Sequence, residues 1–356
     1  MATKELNVSI LGMGFMGQAH LLAWRQVPSV SIQLIVDHTA EAARTKAEFW
    51  NVPRWTDDWQ QAVCDPSIDI IDNCLPNALH LAVLQACWAR GVPLYTEKPL
   101  VGSFQDLAVV RDQVPQGEVG VNFNYRFFPQ VQNLRHMIQD GNMGSVEVIS
   151  GSFLQDWRAG HGATTWRDGS ASSVDVLLDI GVHWIDLAEH LTNDRITNVF
   201  AMPLQGDGLT VSFETMSGAS GFFAISQRHH GHKNDLDVEV VGRHMSARWR
   251  QQEPDLLWLG SSGEKNVVLS RETTLDLRLP MSSPYPTGHI MGWPMALKLA
   301  LEQFVDGVKK GRIVSPTATL DEGIHNMLVC QAIAESVTRK ESVPVENSRK
   351  ILKGER

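Results

Sequence analysis

Apolar and polar positions fall in alternating blocks over the first third of the chain. Asn7 to Leu11 (NVSIL) is a short β-branched and apolar run, followed by Gly12-Met13-Gly14-Phe15-Met16-Gly17 and by helical spacing through Ala23 and Trp24. That order reads as strand, glycine turn and helix. A second apolar run, Ile32 to Val36, leads into helical spacing from Ala40 to Phe49. Ile68 to Asn73 leads into a helix from Ala78 to Arg90, and Val92 to Thr96 reads as a further strand. Regular alternation predicts a parallel sheet with helices on both faces. Largely apolar segments such as Ile68-Asp69-Ile70-Ile71 and Val119-Gly120-Val121 suit strands buried between helix layers.

Downstream the pattern changes to strands separated by polar turns, including Ala219 to Ser226, Asp237 to Val241 and Leu256 to Leu259. Pro280, Pro284 and Pro286 mark a long irregular connection. Met295 to Val308 and Leu320 to Val337 then carry apolar residues at helical spacing, and their methionines read as packing groups. No internal repeat or low-complexity segment is visible.

With 356 residues, 43% hydrophobic and 20% charged, the chain exceeds the usual single-core size and predicts two domains, drawn here as 1–123 and 124–356. A net charge of -9 without a long Lys/Arg run argues against nucleic acid or anionic membrane as a partner. The stretch Leu6 to Trp24 superficially resembles a secretory signal, but Gly12, Gly14, Gly17, Gln18 and His20 interrupt it and no cleavage site follows. No segment reads as a membrane span. Cys64, Cys74, Cys87 and Cys330 lack CxxC pairing and sit in apolar stretches, which suits reduced, buried thiols in a cytoplasmic protein.

The glycine motif has a physical reading. Gly12 permits a tight turn, Gly14 lets the backbone approach a pyrophosphate, and Gly17 allows close helix-on-strand packing, with the positive helix end facing the phosphates. Asp37, 20 residues past Gly17 (37 − 17), stands where a carboxylate meets the adenosine ribose and disfavours a 2′-phosphate, so NAD is expected over NADP. An Asp capping the next helix is the competing reading, and His38 softens the discrimination when protonated. Ligands in such sheets sit beyond the strands' carboxyl ends, which selects Pro76, Asn77, Glu97, Lys98, Asn122 and Asn124.

Glu97-Lys98-Pro99 directly after a strand resembles the signature of the Gfo/Idh/MocA oxidoreductases. Pro76-Asn77-Ala78-Leu79-His80, Tyr125-Arg126-Phe127 and Asp179-Ile180-Gly181-Val182-His183-Trp184-Ile185-Asp186 follow in that family's order, so the resemblance covers nearly the whole chain. It implies an α/β protein: an N-terminal Rossmann domain, then a C-terminal α/β domain with a large, mostly antiparallel open sheet that often pairs with another subunit, giving a dimer or tetramer. Gln155-Asp156-Trp157, Trp166-Arg167, Gly231-His232-Lys233-Asn234, Glu253-Pro254 and Gly288-His289 resemble a branch acting on cyclic polyols and carbohydrates, levoglucosan dehydrogenase-like enzymes included. The resemblance implies a catalytic Lys98, and a cofactor held by Gly12, Gly14, Phe15, Met16, Gly17, Asp37, His38, Pro76, Asn77, His80, Glu97, Lys98, Asn124 and Arg126.

Asp179, His183 and Asp186 share one face if their segment is a regular helix, with Ile180, Trp184, Leu187, Ala188 and Leu191 supplying its apolar surface. A capping Asp with a hydrogen-bonded core His is the competing reading. For alcohol oxidation His183 is the expected base, Asp179 orients the hydroxyl or the imidazole, Lys98 polarises the reacting oxygen, and Asp186 acts from behind them. Tyr125, Trp157, Trp166, Arg167 and His232 are expected to line the substrate with these three, against the alternatives of core tryptophans and an Arg126 ion pair. His229, His230 and His232 lack a Cys or HExxH partner, so no metal is expected. The expected activity is NAD-dependent oxidation of a ring secondary alcohol on a sugar, anhydrosugar or cyclitol. A glycosidase acting by transient C3 oxidation uses the same groups, and a non-catalytic dinucleotide sensor is the third reading.

Overall fold

A computed structural model describes residues 5–111, 113, 117–159, 173–271 and 285–346. Two compact units emerge: one gathers the chain up to Asn124 together with Trp293–Ile324, the other Tyr125–Gly292 with His325–Asn347. A linear division into 1–123 and 124–356 does not contain that return of the chain into the first unit.

In the first unit β1 (Leu6–Leu11), β2 (Val30–Val36), β3 (Arg54–Thr56), β4 (Ile70–Asn73), β5 (Leu94–Thr96) and β6 (Val119–Val121) alternate with α1 (Phe15–Trp24), α2 (Ala40–Trp50), α3 (Trp59–Cys64), α4 (His80–Arg90) and α5 (Phe104–Arg111). The strands lie in the order β6-β5-β4-β1-β2-β3, all parallel. Every strand–helix loop therefore opens on one edge of the sheet. Val8, Ile10, Leu11, Ile70 and Ile71 are fully buried, as continuous apolar strands between helix layers require. The expected helix from Ala78 begins instead as a 3₁₀ turn, Asn77–Leu79, before α4. Of the four cysteines expected to be buried, Cys87 and Cys330 are, Cys74 is half-buried, and Cys64 is exposed because it ends α3 at the surface.

The second unit starts with α6 (Pro129–Gln139), β7 (Val146–Leu154), a helical turn α7 (Ser173–Val176), a π-type turn Leu177–Gly181 and α8 (Val182–Thr192). It continues through β8 (Ile196–Pro203), β9 (Leu209–Thr215), β10 (Ser220–Ser226), β11 (Asp235–Gly242), β12 (Ser246–Arg250), β13 (Leu256–Gly260) and β14 (Val267–Ser270). Their sheet runs β14-β13-β12-β11-β7-β10-β9-β8. Only β7 and β10 pair in parallel among its described strands, so the sheet is mostly antiparallel, as expected. Leu209, Val211 and Phe213 of β9 face inward while Ser212 and Glu214 face out, the alternation of a sheet covered on one side. Trp184 of α8 fixes the covering layer: its indole stacks on Phe223 at 4.3 Å and its Nε1 donates to Asp237 O at 2.9 Å. A side chain at Gly151 would meet both groups, which accounts for glycine there.

The last elements are α9 (Trp293–Lys309), β15 (Ala318–Thr319), α10 (Leu320–Arg339) and β16 (Val343–Pro344). In the first unit α9 packs on α1, and β15 extends the parallel sheet antiparallel to β6. Phe304 of α9 lies 5.0 Å from the Tyr95 ring and fills the space a Cβ at Gly120 would need. β16 pairs with β8 at the end of the second sheet. Among the described residues no helix is long and apolar enough to cross a membrane.

Candidate functional site

The sheet edge of the first unit collects most of the residues expected around a dinucleotide. Gly12 takes φ +88°, and a Cβ there would stand 2.7 Å from Cys74 O. A Cβ at Gly17 would stand 1.8 Å from Gly12 O, so α1 touches the turn backbone directly. Gly14 is different, with no protein atom within 4 Å of its would-be Cβ. It is also the N-cap of α1, brings no side chain to the first N–H groups, and no acidic residue occupies that turn. This open, uncapped helix start suits a pyrophosphate. Phe15 is exposed and stacks on Trp293 at 6.3 Å, and Met16 is half-buried beside it.

Asp37 closes β2 with both carboxylate oxygens engaged. Oδ1 accepts from His38 N at 2.8 Å and lies 2.9 Å from His38 Nδ1, while Oδ2 accepts from Lys46 Nζ at 2.5 Å. Burial pushes the Asp37 carboxyl up, but the Lys46 and His38 bonds outweigh it and hold the group below its ordinary range. The capping role belongs to Thr39, whose side chain accepts from Ala42 N.

Behind this edge lies a buried charge cluster that sequence reasoning missed. His20 of α1 is fully buried, with Nδ1 3.0 and 2.9 Å from Asp72 Oδ1 and Oδ2, and Nε2 3.0 Å from Glu97 Oε1. Both contacts need an N–H, so the ring is an imidazolium between two carboxylates. Burial works against that charge, but Asp72 and Cys74 raise the pKa well above its ordinary value. Burial likewise pushes Glu97 up, and the His20 bond and charge overcome it, taking Glu97 down to about 2. Trp24 Nε1 donates to Asp72 at 2.7 Å, and Asn122 Nδ2 donates to Glu97 Oε1 at 2.5 Å. Glu97 Oε2 in turn accepts from Lys98 N at 3.2 Å, which ties the half-buried Lys98 to the cluster through its backbone. His20, Asp72 and Cys74 also place three ligand-type atoms within 4.8 Å of one another, but the His20 nitrogen in that group is committed to Asp72. Pro76 is exposed and Asn77 half-buried, and Asn124 is buried at the start of a 3₁₀ turn. His80 is buried between Pro99 O at 2.8 Å and Leu75 O at 3.0 Å, where burial pulls its pKa down.

In the second unit the candidate substrate groups surround the π-type turn. Asp179 lies within it and His183 in α8, so the extra residue per turn breaks the regular face expected for Asp179, His183 and Asp186. The consequence is a split. Asp186 is buried and accepts from Arg126 Nη2 at 2.5 Å and Nε at 2.8 Å, whereas Asp179 Oδ2 accepts from Gln227 Nε2 at 2.7 Å. The Arg126 guanidinium, assigned by resemblance to the cofactor, is thus engaged in the ion pair weighed as its alternative, here within one unit.

Gln227 is fully buried and begins a polar chain. Its Nε2 lies 3.4 Å from Gln155 Oε1, Gln155 Nε2 donates to Asn234 Oδ1 at 2.6 Å, and Asn234 Nδ2 donates to Tyr125 OH at 3.0 Å. Trp157 Nε1 donates to the same Gln155 oxygen at 2.8 Å. The Tyr125 ring meets the half-buried His183 edge-on at 5.0 Å, and burial raises the Tyr125 hydroxyl's pKa. Asp179, His183, Tyr125 and Trp157 therefore belong to one neighbourhood. His232 is turned to Asp235, with Nδ1 2.8 Å from Oδ2. Trp166 and Arg167 lie outside the described residues. Gln227 left only a weak signal: it directly follows the strand Ala219 to Ser226, but in a mostly antiparallel sheet the end of a strand does not by itself mark a ligand edge.

Comparison with known proteins agrees with this architecture. Residues 6–125 match the oxidoreductase family model with an NAD-binding Rossmann fold, and residues 131–248 match the GFO/IDH/MocA C-terminal domain. Levoglucosan dehydrogenase of Pseudarthrobacter phenanthrenivorans is 26% identical over 96% of this chain and 98% of its own length. Inositol 2-dehydrogenase of Rhizobium meliloti is 23% identical over 96% and 99%. A solved levoglucosan dehydrogenase in complex with NADH and levoglucosan superimposes with a TM-score of 0.86 at 26% identity, covering 96% of this chain and all (100%) of that one. With the glycine turn and Rossmann sheet in one unit and the large mixed sheet in the other, the chain belongs to the Gfo/Idh/MocA family of NAD-binding oxidoreductases.

Proposed function

We propose that this protein is an NAD-dependent dehydrogenase acting on a ring secondary alcohol of a sugar, anhydrosugar or cyclitol. The observation that carries the reading is the hydrogen-bonded Asp179 beside a half-buried His183, backed by amide groups from Gln227, Gln155 and Asn234. Carbohydrate hydroxyls need such a polar wall, and Trp157 and Tyr125 add flat apolar surface for ring CH groups. The relatives named levoglucosan dehydrogenase and inositol 2-dehydrogenase support the substrate class.

The reading assigns the dinucleotide to the first unit and the alcohol to the second. The glycine turn and the open start of α1 hold the pyrophosphate, with Asp37 at the adenosine ribose. NAD, when bound, supplies the acceptor for the hydride leaving the carbinol carbon. His183 takes the hydroxyl proton on a ring nitrogen, since imidazole titrates near neutral pH. Asp179, fixed by Gln227, orients the hydroxyl or the imidazole. Lys98 polarises the reacting oxygen and favours its deprotonated form.

The decisive experiment is a panel of cyclitols, monosaccharides, anhydrosugars and glycosides with NAD or NADP, reading NADH formation and released aglycone together. Stoichiometric NADH from a cyclitol or sugar supports the dehydrogenase. Aglycone release without net NADH overturns it in favour of elimination chemistry. Lys98→Ala and His183→Ala should keep NADH binding and lose most turnover, and near wild-type rates in both would refute the assigned roles.

A further inference from the structure

We propose that Lys46 is a cofactor-specificity residue whose ammonium forms a subsite for the 2′-phosphate of a phosphorylated dinucleotide, so that the protein binds NADP(H) as well as NAD(H). The proposal rests on the NAD-binding assignment of the first unit and extends it to a second cofactor.

Lys46 lies in the second turn of α2, and its Nζ donates to Asp37 Oδ2 at 2.5 Å and to Met13 O at 2.8 Å. Those partners belong to the end of β2 and to the glycine turn, the two elements that flank the adenosine ribose in a Rossmann site. The ammonium therefore stands where the adenosine ribose would be held, and two of its three donors are used by these contacts. Its side chain is 31% exposed, so it is open to a ligand arriving from solvent.

A carboxylate at the end of β2 discriminates against NADP because it repels the phosphate. Here that carboxylate is paired. Lys46 offsets its charge through Oδ2, while His38 approaches Oδ1 with its backbone N–H and its ring, which is 78% exposed. With His38 neutral the Asp37–Lys46 pair sums to zero, and with His38 protonated the group is positive. Asp37 also stays ionised, because these bonds hold its carboxyl below the ordinary range. Its oxygens remain acceptors for ribose hydroxyls, so nothing in the arrangement works against NAD. Partial exposure screens the charge, and the expected discrimination is graded rather than absolute.

The test is a fluorescence titration of the full chain with NADH and, separately, NADPH, at pH 8 and at low and moderate salt. The wild type should bind NADPH within about tenfold of NADH, and Lys46→Met should widen that ratio by about tenfold or more. Lys46→Arg keeps the charge and should hold the ratio within about threefold of wild type, whereas Asp37→Asn should shift it toward NADPH. A wild type that binds NADH but no NADPH overturns the proposal, as does an unchanged ratio in Lys46→Met. A wild type that binds neither dinucleotide overturns the cofactor assignment beneath it, and this proposal with it.

Discussion

Gln227 Nε2 donates to Asp179 Oδ2 at 2.7 Å from a side chain that is itself fully buried. A buried amide is held by its surroundings, so it restricts the carboxylate to one orientation instead of following it. Gln227→Met keeps the volume and removes the donor. The expected outcome is a fall in kcat of on the order of 10-fold to 10²-fold, the scale of a misoriented catalytic group. NADH affinity, which belongs to the first unit, should not move. Steady-state kinetics on the substrate found by the panel, beside an NADH titration, checks the split. A parallel loss of NADH binding would point to a general structural role for Gln227.

The His20 cluster makes stability depend on pH in two directions. His20 has its folded pKa raised, so its contribution is complete below the unfolded value of about 6.5 and is lost as pH rises through the folded value. Glu97 is lowered to about 2, so its contribution is complete above the unfolded value of about 4.3 and is lost as pH falls toward that lower value. Asp72, Cys74, Asn122 and Lys98 are the other polar groups acting on the pair. The advantage of the wild type over His20→Gln should therefore be largest between about pH 4.5 and 6.5 and shrink on either side. Thermal denaturation of both proteins from pH 3 to 9 measures it, and a constant difference across that range would contradict a charged His20.

The first unit was largely legible because its signals are local. An apolar run, a glycine turn and a helical period each fit within a short stretch of chain, β1 in 6 residues and α1 in 10, and β1, α1 and β2 follow from them directly. Asp37 and Lys98 could be picked out for the same reason, each standing at a strand's end. The second unit depends on pairings distant in sequence, such as β7 beside β10, where Val148 pairs with Ser220. The alternation of β10 showed a strand but not its neighbours. The π-type turn at Leu177–Gly181 is not visible in the sequence, because nothing in that segment's composition distinguishes it from a regular helix, whose spacing puts Asp179 and Asp186 on one face. The role of His20 is not local, because its partner Asp72 lies 52 residues away, and that of Lys46 depends on α2 turning back over the end of β2 to reach Asp37 and Met13 O. The return of α9 into the first unit was hidden for the same reason.

The Arg126–Asp186 pair is buried at both ends, at 2% and 3% exposure, and makes two short hydrogen bonds. Removing one partner takes two charge-assisted hydrogen bonds and the opposite charge from the other, in a place water does not reach. Asp186→Asn should destabilise the protein by about 3–5 kcal/mol, whereas replacing both residues with apolar ones of similar volume should be far milder. Urea denaturation of the single and double variants gives the comparison. Equal losses in both would mean that packing, rather than the stranded charge, dominates at this position.

Gly14 and Gly17 separate folding from cofactor binding within one motif. At Gly17 an added Cβ would lie 1.8 Å from Gly12 O, a backbone atom with no rotamer to move. Gly17→Ala must push α1 off the turn and should destabilise the whole unit. At Gly14 the same atom meets nothing within 4 Å, and φ −70° suits alanine. Gly14→Ala should fold with an unchanged Tm, yet its methyl group would occupy the space that the proposed approach of the pyrophosphate to α1 needs. The expected loss of NADH affinity is about tenfold or more, the scale of one displaced close backbone contact. Melting curves and NADH titrations on the two variants provide the contrast. If Gly14→Ala binds NADH as the wild type does, the pyrophosphate does not approach the chain at Gly14.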